Sequence, residues 1–166
     1  RLQNLLVSNK TLRESDREVL VVAMNSRKIP QGVIGAFAKL TDEMPRLKVA
    51  GAGGKSFHDG GITLPEEALQ RTEFLGQVNE TERLIKLYKQ ATAFIFPSFY
   101  EASPLPPIEA MACGCPVVAA DIPSLKERCG DAAIYCKPHS KKSIAEAITR
   151  LLGDESLQQT MRERGL

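Results

Sequence analysis

Two carboxylates, Glu101 and Glu109, are separated by seven intervening residues in YEASPLPPIEAMACGCPVVAAD, residues 100–121. Pro104, Pro106 and Pro107 lie between them. The pair reflects either local structure, a turn, a capped helix and a buried strand, or a ligand that needs two carboxylates and a helix N-terminus at one place. Two cations, Arg27 and Lys28, stand in NSRKIP at 25–30, where a strand gives way to a helix. Cations at such a junction suit an anionic group such as phosphate. Each feature also has a plainer reading. Arg27 and Lys28 are equally explained as a solvated basic pair. Pro106 and Pro107 fit the first turn of a helix, whose N–H groups are unpaired in any case. Glu109 then falls near that turn, where a carboxylate is electrostatically favoured. Glu101 precedes the helix, and is either a turn residue or a ligand contact.

Other chemistries find less support. His58 and His139 lie in polar loops without a neighbouring nucleophile and base, and read as surface residues. Cys113, Cys115, Cys129 and Cys136 form no C-x-x-C pair, so free buried thiols in a reducing compartment fit better than a zinc site. GAGGKS at 51–56 lacks the glycine that a phosphate-binding loop needs, because position 49 is Val49. The dinucleotide fingerprint fails too, with Ser56 where its third glycine belongs. The stretch reads as a flexible connection, or as a loop whose backbone approaches a ligand.

The elements that would position these residues alternate along the chain. Short apolar runs at 18–24, 46–51, 72–76, 93–97, 116–120 and 133–136 predict six strands. Helices are predicted over 30–41, 65–71, 105–113, 123–129 and 141–152. Another opens at Asn79, with Glu82 completing a capping box, and a last one begins near Glu155. Continuous β-branched runs such as EVLVVAM suit strands buried on both faces. The fold class is therefore α/β: a Rossmann-like, doubly wound parallel sheet of about six strands. Ligands of such sheets bind beyond the C-terminal strand ends, here the loops 24–29, 51–64, 76–79, 97–105 and 121–123.

The 166 residues suffice for one domain with a real core, and no repeat or low-complexity linker divides them. A net charge of +2, from 22 basic and 20 acidic residues, argues against a nucleic-acid surface. No apolar run is long enough to span a membrane, and Arg1–Lys10 is too polar for a secretory signal.

FIFPSFYEASPLPPIEAMACGCPVVAADIPSLKERCGDAAIY, 94–135, resembles the C-terminal domain of retaining glycosyltransferases of family 4. That family's pattern of glutamate, seven residues, glutamate, Ala-Met-Ala-x-Gly-x-Pro-Val is met by Glu101, Glu109, Ala110, Met111, Ala112, Gly114, Pro116 and Val117. RKIPQGVIGAF is similar to its basic phosphate-binding stretch, and FLGQVNETERLIKLYKQA to its third strand and next helix. The resemblance covers about residues 18–164. It departs at Ser103 and Pro104, where the family's Glu-Gly-Phe-Gly-Leu-Pro becomes Glu-Ala-Ser-Pro-Leu-Pro. It departs again at Ala23 and Met24, where the family has a glycine.

The resemblance implies one half of a GT-B fold, in which two Rossmann-like domains face a cleft. It implies that this domain binds a nucleotide-sugar donor linked to UDP, GDP or ADP. Glu109 would hold the ribose hydroxyls and Glu101 the donor sugar, while Lys28, with Arg27, would meet the diphosphate. Gln77 and Val78 would border the base. The backbone of Ala102, Ser103, Pro104 and Leu105 would meet sugar and phosphate. Glu101 and Lys28 would be the catalytic groups, with front-face attack and no covalent nucleophile. No metal and no cofactor is expected. Residues 1–17 would lead in from a missing N-terminal acceptor-binding domain, and 18–166 would form the donor domain. The final crossing helix would follow Leu166, so the chain alone would not turn over. The expected partners are the nucleotide sugar and that N-terminal domain, with no nucleic acid. The expected location is cytoplasmic, with peripheral association at the inner membrane face through the missing domain as an open option. Polysaccharide or glycoconjugate synthesis would be the setting. A non-catalytic nucleotide-binding or interaction module is the competing reading, and another GT-B enzyme, such as a sugar-nucleotide epimerase, a third.

Overall fold

Six strands form one fully parallel sheet: β1 (Glu18–Ala23), β2 (Arg46–Gly51), β3 (Thr72–Gly76), β4 (Ala93–Phe96), β5 (Val117–Ala120) and β6 (Ala133–Cys136). Their order across the sheet is β3-β2-β1-β4-β5-β6. The computed structural model describes residues 18–23, 28–40, 45–51 and 66–166. Residues 1–17, Arg27, His58 and all but the first residue of the glycine-rich loop therefore lie outside the description.

The centre of the sheet is buried on both sides because β4 (AFIF) and β5 (VVAA) are apolar at every position. All four side chains of β4 and of β5 are buried. On one face Val19, Ala93, Ile95 and Val118 pack with α1 (Lys28–Phe37), α2 (Glu66–Gln70) and α6 (Lys141–Leu152). On the other, Phe94, Phe96, Val117 and Ala119 pack with α3 (Thr81–Gln90), α4 (Pro106–Ala112) and α5 (Pro123–Cys129). Strands added in opposite directions from β1 and β4 need their crossover helices on opposite faces if both crossovers are right-handed. That is the arrangement seen.

The amphipathic stripe of α6 places Ile144, Ile148 and Leu151 fully inside. Each such side chain contributes about 1.5–3 kcal/mol by leaving water. Ser140 caps this helix by accepting from the Ser143 amide at 3.1 Å. Asp154 does the same for α7 (Glu155–Gly165), accepting from the Leu157 amide at 2.9 Å.

Three boundary expectations need correction. The first helix runs over Lys28–Phe37 and not 30–41, so Pro30 is its third residue, still among the amides without an intrahelical partner. Asn79 does not open the next helix. The chain is non-helical over 77–80, and the cap residue is Glu80, extended at φ −85° and ψ 116°, with no side-chain cap. The proposed box of Asn79 with Glu82 is therefore not formed. The helix containing Glu109 starts at Pro106, with Leu105 before it.

Candidate functional site

The strand order reverses between β1 and β4, which lie side by side in the register Val19↔Ala93, Leu20↔Phe94, Val21↔Ile95. Their connections leave to opposite faces and open a crevice, the usual ligand position of a doubly wound sheet. Lys28 begins α1 on the β1 side of that crevice. The loop 97–105 enters it from β4 and carries Glu101, Ala102, Ser103, Pro104 and Leu105. The topology thus brings the start of α1 and the acidic loop to one edge of the sheet.

The loop is held at several points. Pro97 and Pro104 are buried at its two ends. Phe99 stacks on His139, ring centroids 4.3 Å apart and planes 15° from parallel, which ties the loop to the β6–α6 connection. His139 is exposed, as expected of a surface residue, yet its ring has a specific partner. The Ser98 hydroxyl, on a residue only 3% exposed, donates to Glu101 Oε1 at 2.7 Å. Glu101 is half-buried, so its carboxylate is oriented by a neighbour and still open to solvent.

Glu109 is exposed on the first turn of α4. The Tyr88 hydroxyl, from the far end of α3, donates to its Oε2 at 3.3 Å. The Tyr88 ring is buried edge-on against Phe94. Burial, reinforced by the charge and hydrogen bond of Glu109, pushes the Tyr88 phenol well above its ordinary value. Tyr88 is therefore a neutral donor throughout the physiological range.

The two departures from the family pattern have partners here. The Arg128 guanidinium of α5 donates to Ser103 Oγ at 3.3 Å, and Pro104 is one of the buried ends of the loop. Prolines at 104, 106 and 107 remove three N–H groups, so Ala102, Ser103, Leu105 and Ile108 keep the amide donors of this segment. Ala102, Ser103 and Leu105 are exposed. Gln77 is exposed at the C-terminal end of edge strand β3, and Val78 packs against the same core face as Ile108.

Sequence reasoning missed Ser98 and Tyr88. Ser98 carries a local signal, the spacing Ser-x-x-Glu to Glu101. Tyr88 carries none beyond its place in an apolar stripe, because its partner comes from another helix. All four cysteines are free, with Cys115, Cys129 and Cys136 buried. Among the described residues no group of three or more His, Cys, Asp or Glu is placed to hold a metal ion. No described helix is long and apolar enough to cross a membrane.

Sheet order, two-sided helical cover and a strand-order switch point define a Rossmann-like domain, one half of a GT-B fold. The chain belongs to the family of glycosyl transferases group 1, whose profile matches residues 6–166. It is 42% identical over 147 residues to the O-antigen chain mannosyltransferase B of Escherichia coli, covering 86% of this chain and 38% of that protein. It is 32% identical over 144 residues to a D-inositol 3-phosphate glycosyltransferase of Streptomyces bingchenggensis, covering 78% of this chain and 31% of that protein. Among solved structures, sucrose-phosphate synthase of Thermosynechococcus elongatus matches with a TM-score of 0.77 and 27% identity, over 93% of this chain and 40% of that one. HepE of Anabaena, in complex with UDP and glucose, matches with a TM-score of 0.75 and 20% identity, over 90% of this chain and 42% of that one, and shares the fold. The chain thus spans about two fifths or less of these relatives.

Proposed function

We propose that this domain binds the nucleotide-sugar donor of a retaining hexosyltransferase of family 4, acting in polysaccharide or glycoconjugate synthesis. The observation that carries this reading is the pair of glutamates at the strand-order reversal, each oriented by a buried residue's hydroxyl. Glu109 accepts from the ribose hydroxyls, and Glu101 from those of the donor sugar. Arg27 and Lys28 meet the diphosphate. Gln77 and Val78 border the base, and the amides of Ala102, Ser103 and Leu105 meet sugar and phosphate. Names of relatives such as the O-antigen chain mannosyltransferase B favour mannose or a related hexose.

In the reaction the bond from the anomeric carbon to the β-phosphate oxygen breaks, and its electron pair leaves on the nucleoside diphosphate. The acceptor oxygen bonds that carbon from the same face, and its proton passes to the departing phosphate. Negative charge grows on the diphosphate, where Lys28 and Arg27 stabilise it without a metal ion. The carbon becomes cation-like, as in glycoside hydrolysis, beside the carboxylate of Glu101.

Calorimetric titration with UDP, GDP and ADP, and with their hexose conjugates, tests the reading. One diphosphate is expected to bind in the micromolar to millimolar range, and its conjugate more tightly. A folded chain that binds none at millimolar concentration would instead support a non-catalytic module.

A further inference from the structure

We propose that Ser98 is the positioning residue for Glu101, setting the orientation in which that carboxylate meets the donor sugar. The inference rests on the donor-sugar reading of Glu101. A glutamate's terminal torsion is broad and roughly two-fold, so an exposed carboxylate samples many orientations. Here one oxygen is fixed. The Ser98 hydroxyl lies 2.7 Å from Glu101 Oε1 and 3.1 Å from the Tyr100 carbonyl oxygen. A hydroxyl has one proton, and the shorter, charge-assisted bond takes it. That leaves Oε2 for a ligand.

Ser98 is itself firmly placed. It is 3% exposed and directly follows buried Pro97 at the end of β4. The stack of Phe99 on His139 fixes the next residue. The sheet, the proline and the ring pair therefore hold the hydroxyl, and the hydroxyl holds the carboxylate. A site whose contacting group is locked by such a partner binds with less loss of freedom.

The test measures a sugar increment, the dissociation constant of a nucleoside diphosphate divided by that of its hexose conjugate, using UDP with UDP-glucose and GDP with GDP-mannose. It compares the unaltered chain with Glu101→Ala, Ser98→Ala, Ser98→Cys and Ser98→Thr. Glu101→Ala is expected to abolish the increment. Ser98→Ala lowers it about five- to tenfold, the size of one net hydrogen bond, while diphosphate affinity stays within about twofold. Ser98→Thr, which keeps a hydroxyl, retains most of the increment. Ser98→Cys, close in size but a weak donor, reproduces the loss and replaces Ser98→Ala if that variant does not fold. An unchanged increment in Ser98→Ala and Ser98→Cys, with loss in Glu101→Ala, would overturn the role of Ser98 and leave the reading of Glu101 intact. An increment absent from the unaltered chain, or untouched by Glu101→Ala, would overturn that reading and this inference with it.

Discussion

Replacing Tyr88 by Phe removes one oxygen atom and leaves the aromatic packing in place. The ring is 1% exposed and meets Phe94 edge-on at 5.3 Å between centroids. That contact survives, so the roughly 3–5 kcal/mol cost of truncating a large core aromatic side chain to Ala does not arise. What is lost is the bond to Glu109 Oε2 at 3.3 Å, longer than the usual ~2.7–2.8 Å of a hydroxyl donor. Glu109 is exposed, so water replaces the lost donor and no buried polar group is orphaned. The expected cost is about 0.5–1 kcal/mol, the lower half of the range for a net hydrogen bond. For a chain of this length that is a fall in Tm of roughly 1–4 °C.

Urea unfolding of the unaltered chain, Tyr88→Phe, Glu109→Ala and the double variant measures the coupling directly. A second readout comes from alkali. Burial raises the Tyr88 phenol in the folded state, with Glu109 adding to it. The folded value therefore exceeds the unfolded one of about 10. The associated stability is complete below that pH and is lost as pH rises towards the folded value. Phe has no proton to lose, so the variant's stability should fall less steeply above about pH 10. A coupling energy of zero would refute the bond as drawn, and an alkaline limb identical to that of the unaltered chain would refute the raised phenol.

Further outcomes follow from the same structure. Glu109→Ala should weaken nucleoside diphosphate binding about tenfold, from the loss of a charge-assisted bond, and spare 2′,3′-dideoxy analogues, as calorimetry will read. Burial raises the thiols of Cys115 and Cys136 to about 12 and that of Cys129 to about 11, from 9.0. Stability should hold below about pH 9 and fall as pH rises through those values, which circular dichroism across an alkaline titration checks. Cys113, the one half-exposed cysteine among the four, should react first with a thiol reagent under native conditions, mapped by mass spectrometry of the peptides. Gly114→Ala should cost about 1–2 kcal/mol, because φ there is +73° and an L side chain is strained in that region although nothing crowds the site.

Most of the fold was legible because parallel strands buried on both faces are written as continuous apolar runs. FIF in β4 and VVAA in β5 needed no tertiary information. The start of α3 was less legible. Asn79 and Glu82 match a capping signature, yet the chain must first travel from the edge strand β3 across two strands to reach β4. It stays non-helical as far as Glu80, and the helix opens only at Thr81. Glu101 and Glu109 stand out through the family resemblance and not through their spacing alone, whereas their supports are not equally legible. The Ser98 bond spans three residues and has a local pattern. The Tyr88 bond joins residues 21 apart on two helices, and an apolar stripe says nothing of where a hydroxyl at its edge will point. Glu101 gave no local reason for its identity, and the Ser98 hydroxyl now supplies a structural one beside the proposed sugar contact.

Ser103 and Pro104 separate the enzyme reading from the interaction-module reading, and the structure narrows what they affect. Neither supplies the hydroxyl that supports a carboxylate: Ser98 does so for Glu101, and Tyr88 of α3 for Glu109. Pro104 removes an amide donor, but a buried proline also restricts the unfolded chain, so the loop starts closer to its final shape. Ser103 is drawn towards Arg128 on α5 by a single 3.3 Å bond between exposed groups, an interaction worth little in water. The departures thus remove one backbone donor from the loop and leave both glutamates with their hydroxyl partners. A lost site would be expected to lose its carboxylates or their supports first, since Ser98 and Tyr88 could become apolar at small cost to the fold. This chain carries both hydroxyls, and each is aimed at a glutamate.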